Sequence, residues 1–285
     1  MKKLGALLLA CVLSISLVGC GNDSQEPTTS GNNTEISGKV TLDGSTSMEK
    51  FVKGIAEAIK EDYPNLTLEA QFTGSGTGIE SVTSGKVDIG NSSRSLKDEE
   101  KAKGLVENVV AIDGIAVITD KQNKVTSLTT DQLKKIYTGE ITNWKEIGGD
   151  DQKIVVIGRE ASSGTRGAFE EILKIDGKND NPKCVYAQEL NETGAVVAAV
   201  EKTPGAIGYV SLDNITDKVS PLQLDGVAPS EATVKDGSYT LQRPFVMATK
   251  GEIKDQKDEV KAVFDFINSE KGQAVIAKVG LVSAK

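Results

Sequence analysis

The 285-residue chain contains no histidine. That absence excludes a Ser-His-Asp triad, a histidine general base and most zinc sites. Cysteine is nearly as scarce: Cys11 and Cys20 fall within the first twenty residues, and only Cys184 lies beyond them. One thiol cannot form an internal disulfide, and nothing in "NPKCVYAQ" would activate it, so Cys184 reads as a small, partly buried residue. Aromatics make up 4% of the chain, with a single tryptophan, Trp144, whose expected role is packing, although it could also report a closure by fluorescence. Positive charge is in deficit too, with 33 basic against 41 acidic side chains and a formal charge of −8. Nucleic acid and anionic lipid surfaces are therefore poor partners.

The chain does have an N-terminal leader. Lys2 and Lys3 precede the apolar run "LGALLLACVLSISLV", which is short for a membrane span and is followed at once by polar residues. The run ends in "LVGC", which resembles a bacterial lipobox. Residues 1–19 are expected to be a signal peptide, and Cys20 to receive a diacylglycerol thioether, placing the protein on the outer face of the cell membrane through its N-terminal lipid alone. Loss of residues 1–19 removes two of the 33 basic side chains and no acidic one, bringing the formal charge near −10. "GNDSQEPTTSGNNTEIS" then has one isoleucine and no periodicity, so residues 20–37 read as the lipidated cysteine and a flexible tether.

From Lys39 onward apolar strands alternate with helices: "KVTLDG", "MEKFVKGIAEAIKEDYP", "LTLEAQFTG", "GIESVTSG", "VDIGNSS". In the first helix Met48, Phe51, Val52, Ile55, Ala56, Ile59 and Tyr63 recur at three- and four-residue spacing until Pro64. The long apolar run "NVVAIDGIAVITD" can carry the chain into a second α/β unit. That unit opens on a capping-box spacing from Thr129 to Gln132 and continues through "IVVIGRE", "GAFEEILKI", "AVVAAVEKT" and "AIGYVSL". The amphipathic stretch "DEVKAVFDFINSEKGQAVIAKVG" reads as one helix returning, with "PFVMATK", to the first unit. The expected lobes are residues 38–118 plus 243–285 and residues 119–242, two α/β lobes with a cleft between them.

Four stretches share one design, an apolar strand running into Gly, Ser and Thr: "DGSTSM" (43–48), "TGSGTG" (73–78), "GNSSRS" (90–95) and "REASSGTR" (159–166). Helix N-termini leave backbone N–H groups unpaired with partial positive charge, hydroxyls add donors, and glycine lets the backbone come close. Arg94, Arg159 or Arg166 could add a guanidinium fork that matches two oxygens of a tetrahedral anion. Taken singly, each stretch could be a plain N-cap, turn or solvated loop, with Ser45 or Thr46 simply capping a helix. Four at strand ends point together to a small oxyanion. Nucleotide motifs fail on detail, since "GREASSGTR" lacks the Lys-Ser/Thr ending of a P-loop and "GSGTG" lacks the GxGxxG spacing.

The lipobox, "GSTSM", "TGSGTGIESVTSGKVDIGNSSR", "DGIAVI", "LKKIYTGEITNW", "GREASSGTR" and "GAIGYV", in this order, resemble the phosphate-binding protein of the bacterial high-affinity phosphate ABC transporter. The resemblance runs from about Lys39 to the C-terminus. It implies a periplasmic-binding-protein type II fold, with two lobes joined by two crossover strands and closing on dehydrated inorganic phosphate, and delivery to ABC transporter permease subunits. It implies a monomer with no cofactor and no metal. By motif position it assigns Thr46 and Ser47 with neighbouring Ser45, then Ser75, and from the opposite lobe Arg159, Ser163, Gly164 and Thr165 with neighbouring Ser162.

One position departs from the pattern. Where known members of the family carry an aspartate that accepts the phosphate proton and repels sulfate, this chain has Ser93, followed by Arg94. The expectation is that Arg94 adds a donor fork and that either Asp113 in "AIDGIAV" or a serine hydroxyl takes the acceptor role; Asp113 could equally be a structural residue ending a strand. Other readings are a receptor for sulfate, molybdate or another tetrahedral oxyanion, a secreted serine hydrolase using a Ser-Lys pair, and an adhesin or signalling protein using the fold as a scaffold.

Overall fold

The computed structural model describes residues 36–285. The signal peptide, Cys20 and nearly all of the tether lie outside the described residues. Ile36, expected in the tether, instead packs against the first core. Among the described residues no helix is long and apolar enough to cross a membrane.

Ten strands form one continuous curled sheet; eight follow the order Leu66–Gln71, Gly38–Gly44, Ile89–Ser92, Gln242–Lys250, Leu105–Asp120, Ala206–Ser211, Val155–Arg159, Gln188–Leu190, and the short strands Val219–Pro221 and Val282–Ser283 also pair with Leu105–Asp120. At each end of this order neighbouring strands run parallel, with Gly38–Gly44 beside both Leu66–Gln71 and Ile89–Ser92, and Val155–Arg159 beside both Gln188–Leu190 and Ala206–Ser211. The middle is antiparallel. Parallel pairs need helical crossovers, and those helices cover the faces of the sheet.

The 16-residue strand Leu105–Asp120 runs through both halves of the molecule. Val110 and Ala111 belong to a core built with Leu42, Phe51, Ile89, Phe245, Val263 and Phe266, whereas Ile115 and Val117 belong to another built with Leu133, Trp144, Phe169, Tyr209 and Leu241. The antiparallel strand Gln242–Lys250 crosses back beside it, Leu241 in the second core and Phe245 in the first. Two adjacent strands thus join two separately packed halves.

Local signals act as read. Thr129 caps the helix Thr130–Tyr137, its hydroxyl accepting from the Gln132 N–H, while the Gln132 side chain accepts from the Thr129 N–H. Trp144 is a core residue whose indole N–H donates to the Gly205 carbonyl at 2.9 Å. The long C-terminal helix read from sequence is two helices, Asp258–Asn268 and Glu270–Lys278. Ser269 breaks it: its extended backbone ends the first helix and its hydroxyl caps the second, accepting from the Gly272 N–H. Gly272 permits the tight bend, because a Cβ there would stand 2.1 Å from the Phe266 carbonyl oxygen.

Candidate oxyanion-binding site

The site gathers at strand ends where the two halves meet. The strand Gly38–Gly44 turns at Gly44, with φ 141°, and a Cβ there would stand 2.1 Å from the Asn91 carbonyl oxygen. Only glycine fits so close an approach. The turn delivers Ser45, Thr46 and Ser47 into the start of a short 3-10 segment (Thr46–Met48) that leads into the helix Glu49–Ala58. Ser45 makes no side-chain cap, contrary to the plain N-cap reading; its hydroxyl donates to Ser93 Oγ at 2.9 Å. Ser75 opens the helix Ser75–Thr83 after Gly74, and its Oγ accepts from the Ser93 N–H at 3.1 Å. Buried Asp43 ties these loops together by accepting from Thr73 and Ser81 hydroxyls at 2.6 and 2.9 Å.

From the other half, the strand Val155–Arg159 runs through a turn into the helix Gly164–Leu173, with Ser163 as its N-cap. Ser163 Oγ accepts from the Arg166 N–H, which leaves its own O–H free to point elsewhere. Thr165 Oγ1 lies 2.8 Å from Ser47 Oγ. Gly164 abuts the opposite half so closely that a Cβ would stand 2.2 Å from Ser75 Oγ and 2.7 Å from Ser93 Oγ. The structure therefore brings Ser45, Thr46, Ser47, Ser75, Ser93, Arg159, Ser163, Gly164 and Thr165 into one buried cluster.

Thr193, which the sequence reading missed, belongs to the same cluster. It opens the helix Thr193–Lys202, and its hydroxyl lies 2.9 Å from Thr46 Oγ1, 3.3 Å from Ser47 Oγ and 3.2 Å from Arg159 Nη1. Its signal was present in "LNETGAVV", a fifth strand-to-helix junction with hydroxyl and glycine.

Arg159 is the charged centre. It is 2% exposed, and its guanidinium donates to the Leu190 and Asn191 carbonyls and to Thr193. Glu160 forms an ion pair with Nη2 at 3.6 Å, too long for a hydrogen bond. Burial pulls the Arg159 pKa down, with Glu160 acting against it, and the group stays cationic. A buried guanidinium without a hydrogen-bonded carboxylate, facing hydroxyls and helix N-termini, is a site for an anion.

Two expectations need correcting. Arg94 does not offer its fork to the cluster: Nη1 and Nη2 donate to Glu100 at 2.9 and 2.7 Å, and Nη1 also to the Ser95 carbonyl. The pair lines a groove of 920 Å³ shared with Arg166 and Glu170. Glu100 sits six residues on in the short helix Asp98–Lys101, and a bidentate carboxylate outcompetes neutral partners for the fork. Ser162 stands at the rim; its hydroxyl donates to Glu160 and its carbonyl accepts from the Gly76 N–H across the halves at 2.8 Å.

Asp113 is the structural residue of the two readings offered for it. Its Oδ2 accepts from Arg243 Nε and Nη2 at 3.0 and 2.8 Å, and its Oδ1 from the Ser211 hydroxyl and the Leu212 N–H. Burial pushes its pKa up to about 6, against the lowering by Arg243. Both oxygens are engaged, which leaves serine and threonine lone pairs as the acceptors within the cluster.

The sequence model of a PBP superfamily domain matches residues 23–271. The chain is 36% identical over 276 residues to the phosphate-binding protein PstS of Bacillus subtilis, covering 94% of this chain and 89% of that protein. PstS of Staphylococcus haemolyticus is 31% identical over 278 residues, covering 92% and 86%. A Clostridium perfringens structure, named as that of a phosphate ABC transporter substrate-binding protein with bound phosphate, has a TM-score of 0.80 at 40% identity, covering 87% of this chain and all of that one. An ABC-type phosphate transport receptor from Vibrio cholerae has a TM-score of 0.71 at 31% identity, covering 86% of this chain and all of that one.

Proposed function

The chain belongs to the PBP superfamily and, within it, to the PstS phosphate-binding proteins, and from that premise we propose that it captures inorganic phosphate by lobe closure and hands it to the permease of an ABC transporter. Arg159 is the observation that supports this most: a guanidinium 2% exposed, without a hydrogen-bonded carboxylate, donating to Thr193, whose hydroxyl joins it to Thr46 and Ser47 of the buried hydroxyl cluster. Packing moves the expected boundary at 118 back to Asp113: residues 38–112 plus 243–285 form one lobe and 114–241 the other, because Ile115 and Val117 pack in the second core, and the strands cross at Asp113 and Arg243, the hinge.

Closure brings donors from both lobes around one ion. About ten hydrogen bonds to a charged ligand, each worth roughly 1.5–3 kcal/mol, exceed the ~8 kcal/mol of micromolar binding. Stripping water from the ion and ordering the lobes offset the excess. Recognition of this kind needs no covalent chemistry, and the role is capture rather than turnover. The lipobox supports tethering through Cys20, and C20A should release the protein into the medium.

Hydroxyls as the acceptors favour a second reading, a wider range of tetrahedral anions, because a hydroxyl can donate to sulfate as readily as it accepts from a phosphate proton. Calorimetric titration of protein refolded free of anion, with phosphate, sulfate and molybdate in turn, decides between them. Tight one-to-one binding of phosphate alone is the expected result. Equal binding of sulfate would install the second reading, and no binding of any of the three would overturn both.

A further inference from the structure

We infer that Arg243 is a positioning residue of the anion site, holding the Ser93 carbonyl from the strand crossing and so fixing where the Ser93 hydroxyl points. The inference rests on the reading of the hydroxyl cluster as a phosphate site. Arg243 lies directly opposite Asp113 in the antiparallel register of the two crossing strands. Both side chains are buried, at 1% and 0% exposure. Asp113 takes up Nε and Nη2 of the fork, and the remaining arm, Nη1, donates to the Ser93 carbonyl at 3.2 Å. Asp113 Oδ1 meanwhile accepts from Ser211 and Leu212, which follow the strand pairing in the second half.

One guanidinium therefore ties together the hinge, the second half through Asp113, and the turn of the first half that carries Ser93. Ser93 is held at three points: its carbonyl by Arg243, its N–H by Ser75 Oγ and its hydroxyl by Ser45. Of these, the Arg243 contact alone comes from the hinge. An apolar cross-strand pair would serve the sheet without the desolvation cost of two buried charges. It could not donate to Ser93. Nor could lysine reproduce the arrangement, because a single ammonium lacks the fork that reaches Asp113 with two nitrogens and Ser93 with the third. Arg243 is neutralised by Asp113, so its effect on the ion is through geometry, whereas Arg159, with only the longer Glu160 ion pair, acts through its charge.

A double-mutant cycle on the full chain in mild detergent, titrated with inorganic phosphate, tests this. R243K is expected to raise Kd about tenfold, S93A to raise it as well, and R243K in the S93A background to add less than twofold, since the residue through which it acts has lost its hydroxyl. Equal effects of R243K in both backgrounds would overturn the inference, as would an unchanged Kd for R243K or for S93A alone. A merely structural role would give the additive result. Should thermal melts show that R243K fails to fold, the neutral pair D113N/R243M, which removes the donor to Ser93 without leaving either charge unpaired, takes its place in the same cycle with the same criteria. Absence of phosphate binding by the native chain would overturn the site reading itself, and this inference with it.

Discussion

Replacing Gly164 with alanine should separate ligand binding from folding. Gly164 is the first residue of its helix, and alanine is the better helix former, so the second lobe by itself should lose nothing. The added Cβ would, however, stand 2.2 Å from Ser75 Oγ, 2.7 Å from Ser93 Oγ and 2.9 Å from Ser75 Cβ. Ordinary contact needs about 3.5 Å, so the lobes must part by roughly 1 Å. Such a displacement stretches the hydrogen bonds that Ser75 and Ser93 would make to an ion held by the second lobe, and hydrogen bonds weaken steeply outside their narrow range. Two charge-assisted bonds at about 1.5–3 kcal/mol each amount to about 3–6 kcal/mol, which predicts at least a hundredfold rise in Kd. The melting temperature of the anion-free protein should stay within a degree or two of native. Gly194→Ala is the control, because a Cβ there meets nothing within 4 Å; it should leave Kd unchanged and raise stability slightly. Calorimetry with phosphate and a thermal melt on each variant suffice. A Kd for G164A within threefold of native would refute the closure geometry.

Thr193→Val removes a hydroxyl shared by Thr46, Ser47 and Arg159 at nearly constant volume; titration should show Kd rising about tenfold with little change in melting temperature. Arg94→Met should do the reverse. Its buried partner Glu100 is left unpaired, costing about 2–3 kcal/mol in denaturant unfolding, while phosphate Kd stays within twofold; a tenfold weaker Kd would return Arg94 to the site. Asp88 accepts from the Thr41 N–H and hydroxyl and from Lys257. Burial alone would raise its pKa, but these partners lower it on balance. Its contribution is therefore present above the unfolded carboxylate pKa and is lost as pH falls through the lower folded one. D88N should cost about 1 kcal/mol at pH 7, after allowance for solvent screening, and the gap to native should close as pH falls through the lowered folded carboxylate pKa.

The strand-to-helix junctions were legible because their chemistry is local. An apolar run followed by Gly, Ser and Thr fixes a turn, a helix start and a set of donors within six or seven residues, and Ser45, Ser75 and Ser163 needed no more than that. Thr193 carries the same signature but follows a strand of three residues, Gln188–Leu190, too short to show a period. Arg94 and Arg159 look alike in sequence, each a basic residue beside serines at a strand end. What separates them is a rotamer choice decided by a carboxylate, since Glu100 lies within reach of Arg94 whereas Glu160 stands too far from Arg159 to hydrogen-bond it. Arg243 was the hardest to foresee, because its partners Ser93 and Asp113 lie 150 and 130 residues away. Only the register of the two crossing strands brings them together. The break at Ser269 was missed because the apolar periodicity on its two sides stays in phase.

A chain with a formal charge of −8 can still hold an anion because its site is organised by short-range dipoles rather than by a field. Arg243 is bonded through two nitrogens to Asp113 and Arg94 through two to Glu100, whereas Arg159 meets only the longer Glu160 ion pair at 3.6 Å and is the guanidinium least claimed by a carboxylate. More buried cations would repel one another and require counter-charges that compete with the ligand. Hydroxyls avoid this, since each can donate or accept: Ser47 bonds Thr165, Thr46 bonds Thr193, and Ser45 bonds Ser93. A buried cluster of this composition satisfies itself internally, then rotates its O–H groups toward an ion at little cost in electrostatic self-energy. Arginine provides the sign of the ligand, the hydroxyls and helix N-termini its shape, and the glycines the closeness of approach that makes both effective.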